Sequence, residues 1–284
     1  MRYLHYLGLM LSIFLCCRQV MAQKNTYRGV CLDEDTSTPV PFVSIYDIKG
    51  GLISVANSRG EFIITISSDS SSLVLRCIGY DQRKLENKEL EKDKINTILL
   101  APKLMVLPEV IVLPEKLIEF QHGYNNVPDD FKTYTFGQLK YMAIGSMIKL
   151  KKGSGRLERA RIYVGENKIG KFTFRCRIAN INKSKLPGDD LLKTDILLSS
   201  DIESGWVDFD LSPLNYWIDE NKIYLIVEVL HDFIINDNNI IISIGSPGMA
   251  YVPNKRRSCI STQPGVWRKD NKEFITSITV SYEN

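Results

Sequence analysis

Histidine is scarce, with three in 284 residues. His5 lies in the N-terminal segment, so His122 and His231 are the candidate bases. There is no H-x-x-x-H, H-E-x-x-H or C-x-x-C pairing, so the usual zinc spacings are missing. No Gly-x-Ser-x-Gly elbow occurs either, and Gly245-Ser-Pro-Gly248 reads as a turn. A serine or cysteine nucleophile needs a base beside it, and nothing in the order of residues supplies one. Charge of one sign is also lacking: the formal net charge is +3, which gives no electrostatic case for nucleic acid. Beyond the N-terminus no apolar run is long enough to span a membrane. No segment carries a long helical stripe, so a helical bundle is excluded.

The one apolar run, Leu7 to Leu15, is too short to span, since a membrane helix needs about 20 such residues. It follows the basic start at Arg2 and precedes Val20-Met-Ala22, which has small residues where a signal peptidase reads. Residues 1–22 are therefore predicted to be a cleavable secretory signal, cut between Ala22 and Gln23. Lipidation at Cys16 or Cys17 is the alternative, although Leu15 is large where lipoprotein signals carry a small residue. Four cysteines follow the signal: Cys31, Cys77, Cys176 and Cys259. Their wide spacings leave the pairing open. Cys77 and Cys176 share strand faces with apolar residues and are expected to be buried thiols.

What is abundant is a period of two. In Lys222 to Leu230, Ile223, Leu225, Val227 and Val229 form one face, and the other carries Lys222 and Glu228. In Trp206 to Leu211, Val207, Phe209 and Leu211 face one way and Asp208 and Asp210 the other. Glu273 to Tyr282 alternates similarly. This pattern predicts half-buried antiparallel strands in an all-β chain, with a turn at Lys185-Leu-Pro-Gly-Asp-Asp190. The best helix candidates, Asn87 to Asp93 and Pro114 to Gln121, are both short. The three prolines between Ala101 and Pro114 mark a connecting segment, because proline is excluded from central strands. The expected division is a signal at 1–22, one domain at 23–101, a connection at 102–120 and a second domain at 121–284.

Several motifs occur in order in the first domain: Tyr27-Arg-Gly-Val-Cys-Leu-Asp33, Thr38-Pro-Val-Pro-Phe-Val-Ser-Ile45, Ser54-Val-Ala-Asn-Ser-Arg-Gly-Glu-Phe62, Leu75-Arg-Cys-Ile-Gly-Tyr80 and Leu107-Pro-Glu-Val-Ile-Val112. Together they resemble the carboxypeptidase-like regulatory domain, a transthyretin-like β-sandwich. Gly60 is expected at positive φ in a turn, and Gly79 at a bend. Asn57 departs from the family pattern. The resemblance implies no catalytic residues and a place ahead of a larger module in the Gram-negative envelope. A transporter barrel is excluded, because roughly 170 remaining residues are too few for its strands. The stretch from Phe172 to Leu230, with its Pro187-Gly turn and Gly205-Trp-Val-Asp-Phe-Asp-Leu-Ser212 strand, resembles jelly-roll modules of exported bacterial proteins. Two β-sandwich domains are expected, the first transthyretin-like and the second jelly-roll-like.

The candidate chemistry is thin. Asp208 with Asp210, and Asp189 with Asp190, lack the convergence of oxygens that calcium requires. Asp33-Glu-Asp35 begins like a calcium loop but lacks its glycine and closing glutamate. Gly153-Ser-Gly155 lacks Walker spacing and reads as a basic hairpin. No metal site, cofactor or catalytic residue is predicted. Aromatic residues beside acids remain: Trp206, Asp208, Asp210 and Trp217 could stack on and hydrogen-bond a sugar. The expected function is a non-enzymatic exported envelope protein, periplasmic or associated with the outer membrane, that binds or scaffolds a protein partner. The alternative is a carbohydrate-binding module on a surface glycan. If the leader is cleaved as read, intact-mass measurement of the protein exported by a Gram-negative host gives Gln23 as the first residue. Retention of residues 1–22 would overturn that assignment.

Overall fold

The computed structural model describes residues 24–283 except 49–51, 68–71, 78, 104–116, 136–140, 193–195, 231–232, 236–240, 244–245 and 264–265. The expected signal, Cys16 and Cys17, His231 and the Leu107-to-Val112 motif lie outside the described residues. The first sandwich is built from β1 (Lys24–Asp33), β2 (Ser44–Asp47), β3 (Leu52–Val55), β4 (Glu61–Ser67), β5 (Ser72–Arg76), β6 (Arg83–Glu86) and β7 (Ile95–Leu100). The second contains β8 (Ile118–Gly123), β9 (Lys132–Tyr134), β10 (Met142–Lys149), β11 (Gly155–Glu166), β12 (Phe172–Ile181), β13 (Pro187–Asp190), β14 (Ile196–Ser200) and β15 (Gly205–Asp210). It continues with β16 (Trp217–Ile218), β17 (Lys222–Leu230), β18 (Phe233–Ile235), β19 (Ile241–Ser243), β20 (Gly248–Gln263), β21 (Val266–Phe274) and β22 (Thr276–Tyr282). The protein is all-β, as the period-two patterning dictates.

In the first sandwich a three-stranded sheet, β4-β1-β7, faces a four-stranded sheet, β3-β2-β5-β6. Phe62, Ile64, Ile98, Leu100, Leu73 and Leu75 fill the space between them. The motifs read from the sequence are structural joints. The Asp33 carboxylate accepts the N–H groups of Asp35 and Thr36 and the Tyr80 hydroxyl. It thereby ties the first motif to the Ile-Gly-Tyr motif across the sandwich. These hydrogen bonds, that of Thr36 foremost, hold the Asp33 carboxyl below the usual carboxylate range. Asn57 is buried, accepts the N–H groups of Arg59 and Glu61, and donates to the Glu61 carboxylate. A residue that departs from the family pattern therefore still builds the turn. Gly60 has φ +72° and Gly79 φ +77°.

In the second sandwich one hydrogen-bonded path runs β13-β12-β17-β10-β20-β11-β22-β8. The long β20 makes this continuous. Met249 near its start pairs with β11, and Ser258 to Ser261 near its end pair with β10. The interior is lined by alternate residues of each strand, among them Met142, Ile144, Ile162, Phe174, Cys176, Leu225, Val227, Phe274 and Ile278. Four local expectations are corrected. Ile118 to Gln121 is strand rather than helix, since β8 pairs along β22 and sets Phe120 and His122 against the Tyr282 ring. In the other helix candidate only Asn87–Glu89 turns, as a single 3-10 turn. Pro187 to Asp190 forms an edge strand on β12, and the turn sits ahead of it at Lys185, φ +58°. Gly153-Ser-Gly155 does not close a hairpin, because β10 and β11 are not hydrogen-bonded partners.

A Cβ at Gly60 would lie 2.7 Å from the Cys31 carbonyl oxygen and 2.9 Å from that of Val40. At Gly170, also at positive φ, nothing lies within 4 Å. Gly60→Ala is therefore expected to lower unfolding free energy by about 1–3 kcal/mol, and by more than Gly170→Ala does. Urea denaturation of the two variants tests this ordering.

Candidate functional site

The four residues singled out for sugar binding lie on β15 and β16, both of which pair with β11. Tyr163 pairs with Trp206, Arg161 with Asp208 and Arg159 with Asp210, and Arg156 pairs with Trp217 near the other end of β11. Trp206 and Trp217 are therefore separated by seven residues of β11. The Trp206 ring meets Tyr163 edge-on at 5.4 Å, and the Arg161 guanidinium lies over it at 4.4 Å. Arg161 also pairs with Asp208 at 2.8 Å. Asp210 accepts the N–H and the hydroxyl of Ser212, which lower its pKa. Asp208 thus has a partner on β11 and Asp210 one in the turn that follows its strand. Strand alternation disclosed the acids, but the arginines opposite them depend on register.

A second cluster was not foreseen. It occupies the face of β12 and β17 turned away from the sandwich interior. On β12 the apolar Phe172, Phe174, Cys176 and Ile178 point inward, which sends Arg175 and Arg177 outward. Arg175 lies directly across from Glu228 of β17. Glu228 has no exposed side-chain surface, and Arg175 has 1 %. The carboxylate takes a hydrogen bond from Arg175 Nη1 at 3.1 Å, one from the Tyr141 hydroxyl at 2.8 Å and one from Arg177 Nη1. Arg177 turns its remaining donors to Asp190, at 3.0–3.1 Å. Two guanidiniums and two carboxylates make the cluster formally neutral.

The first sandwich covers this cluster. Arg175 Nη2 donates to the Phe42 carbonyl at 2.8 Å. Phe42 has φ +56°, a conformation that non-glycine residues seldom hold. Around the polar cluster, Leu52, Tyr46 and Val55 of the first sandwich pack with Tyr141, Ala143, Tyr224, Ile226 and Cys259 of the second. Burial pushes the Glu228 carboxyl up, but the flanking Arg177 and Arg175 outweigh it and hold the pKa below the ordinary value. The Tyr141 hydroxyl is driven well up by burial and by the Glu228 charge.

The described cysteines are free thiols, three of them buried and Cys77 half-buried. Burial, with Cys77 adding, pushes the Cys31 thiol up to about 12, so it is inert as a nucleophile at neutral pH. His122 hydrogen-bonds the Tyr282 hydroxyl at 3.2 Å, and burial lowers its pKa. Among the described residues no three His, Cys, Asp or Glu are gathered as metal ligands, and no helix is long and apolar enough to cross a membrane.

On the far side of the first sandwich the outer face of β4-β1-β7 carries exposed apolar residues among polar ones, Arg28, Glu61 and Thr97. Ile95 is 70 % exposed and Leu99 46 %. Register places Ile95 beside Arg28 and Ile63, and Leu99 beside Leu32.

Residues 27–112 match the model of the CarboxypepD_reg-like domain family, so the first sandwich carries that domain. No curated protein matches the chain. Among solved structures, a propeptide-cleaved clostridial cysteine protease, Cwp84, aligns at 11% identity over 82% of this chain and 52% of that chain, with a TM-score of 0.39. The cysteine protease and lectin-like domains of Cwp84, a surface layer associated protein of Clostridium difficile, align at 13% identity over 82% and 46%, with a TM-score of 0.35. A DUF3823 family protein from Parabacteroides merdae aligns at 11% identity over 81% and 98%, with a TM-score of 0.20. The chain spans about half the length of the two Cwp84 structures.

Removing the Glu228 carboxylate would take from buried Arg175 the carboxylate it pairs with and leave Arg177 with Asp190 alone. Glu228→Ala is expected to cost about 3–5 kcal/mol of unfolding free energy, and a loss below about 1 kcal/mol in urea titration would refute the assigned role. Because the folded pKa is depressed, the Glu228 contribution is complete above the ordinary glutamate value of about 4.3. It is lost as pH falls through the lower folded value. The wild-type advantage over Glu228→Ala should therefore shrink only in acid, below about pH 4.

Proposed function

We propose that this is a non-enzymatic exported protein of the cell envelope, periplasmic or associated with the outer membrane, that binds or scaffolds a protein partner. The observation that carries the reading is the outer face of β4-β1-β7. Ile95 and Leu99 project from β7 on the side away from the sandwich interior; Leu32 of β1 lies half-buried beside Leu99, Arg28 beside Ile95, and Val30 and Thr97 between them. Exposed apolar residues clustered on one sheet face mark an interaction surface, whereas isolated ones do not. The same domain is fastened to its neighbour by its other sheet, through Tyr46, Leu52, Val55 and the Phe42 carbonyl. One face of the regulatory-like domain is thus committed within the chain and the opposite face is presented outward. Such an arrangement suits a scaffold that holds a partner at a fixed position relative to the second sandwich.

The test is cross-linked capture from Gram-negative envelope extracts by the tagged mature protein and by an Ile95→Glu, Leu99→Glu variant. Both side chains are solvent-facing, so the variant should melt with the wild type. The reading expects a discrete captured protein with the wild type and its loss with the variant. No specific capture, or equal capture by both, would sink it.

A further inference from the structure

The second sandwich has a cleft of about 280 Å³, lined on one side by β10 and on the other by β20, β21 and the segment after β8. Three cations reach it, Lys149, Lys255 and Arg257, and one carboxylate, Glu273. Glu273 offsets only one of these charges. Lys255 and Arg257 both form ion pairs with its oxygens, at 3.7 and 3.8 Å, longer than good hydrogen bonds, and Lys149 makes no ion pair among the described residues. Arg257 and Lys255 keep 69% and 54% of their side-chain surface exposed. Glu273 itself is 12% exposed and takes the Tyr124 hydroxyl at 3.1 Å.

Ser146 also lines the cleft. It is 4 % exposed, and its hydroxyl oxygen is buried without a hydrogen-bond partner. Ser146 follows Met142 and Ile144 on the inward-facing side of β10, where an apolar residue would complete the pattern. Buried hydroxyls in folded proteins nearly always find a partner, so one left open calls for an explanation. A ligand group at the cleft floor supplies it. The surplus of cations selects for a negative group, and the Glu273 carboxylate beside them has capacity to accept a hydroxyl proton. The volume falls just below the range of about 300–1,000 Å³ that holds drug-sized ligands, so one small unit fits.

We propose that this cleft binds a small hydroxylated acid, with its oxyanion held by Lys255 and Arg257, a hydroxyl given to Glu273, and Ser146 as a further donor. A sugar acid has this chemistry. The site is distinct from the outer face of the first sandwich and does not rest on partner binding there. The experiment is calorimetric titration of the mature protein with sodium glucuronate at constant ionic strength, with glucose as the neutral match. Saturable glucuronate binding is expected, with glucose at least about tenfold weaker and a Lys255→Ser, Arg257→Ser variant weakened by a similar factor. Ser146→Ala should also bind more weakly while melting no lower than the wild type, because it removes an unpaired hydroxyl. Absence of saturation by glucuronate, equal binding of glucose, or unchanged affinity in the Lys255→Ser, Arg257→Ser variant would each overturn the proposal.

Discussion

A carboxylate removed wholly from water must be matched in charge and in hydrogen bonds, and Glu228 sets that requirement at the centre of this protein. It lies in the middle of β17, with the apolar interior of the second sandwich behind it. In front of it stand two guanidiniums and a tyrosine hydroxyl. Those groups need covering in turn, since a solvated arginine would not hold the geometry. The cover is the first sandwich, whose Phe42 carbonyl accepts from Arg175 Nη2. Residues of β12, β13, β17 and the approach to β10 are bound to one position by a single side chain. The left-handed backbone at Phe42 costs of order 1–3 kcal/mol, and its N–H to the Asn57 carbonyl and its carbonyl to Arg175 both hold it there.

Such clusters add little net stability, because desolvation offsets most of the Coulombic attraction, yet removal of one member is costly. The role of the cluster is therefore to fix where the two sandwiches meet. Apolar packing around it, through Leu52, Tyr224 and Ile226, supplies the favourable burial. Contrast the ladder on the outer face of β11 and β15, where Arg161 faces Asp208 across the strands with 45% of the Asp208 side chain exposed. An exposed pair of that kind contributes only about 0–1 kcal/mol. The same residue types serve as a joint in one place and as solubilising surface in the other, and burial alone decides which.

That difference also accounts for what could be read from the residues. Alternation in Lys222 to Leu230 correctly separates Ile223, Leu225, Val227 and Val229 from their neighbours. It cannot show that the opposite face, with Tyr224, Ile226 and Glu228, is covered by another domain. Glu228 reads as solvated for that reason. Arg175 and Arg177 alternate with Phe174 and Cys176 just as surface residues would. The regulatory-domain motifs were legible because they are local joints: Gly60 and Asn57 act within one hairpin, and Asp33 meets Tyr80 inside one sandwich. Ile118 to Gln121 misleads because Pro114 suggests a helix start, whereas the open edge of β22 recruits the segment as a strand. Residues converging from distant strands, such as Tyr124, Ser146, Lys255 and Glu273, carry no sequence signal at all.

The neutrality of the buried cluster has a consequence for how the remaining surfaces can work. Two positive and two negative groups, largely shielded from water, have little net field for salt to screen. The orientation of the sandwiches is accordingly insensitive to ionic strength, whereas the cationic cleft at Lys149, Lys255 and Arg257 is not. On the outer face of the first sandwich, burial of Ile95 and Leu99 would be apolar in origin, with Arg28 beside Ile95. The three surfaces therefore answer to different physical conditions.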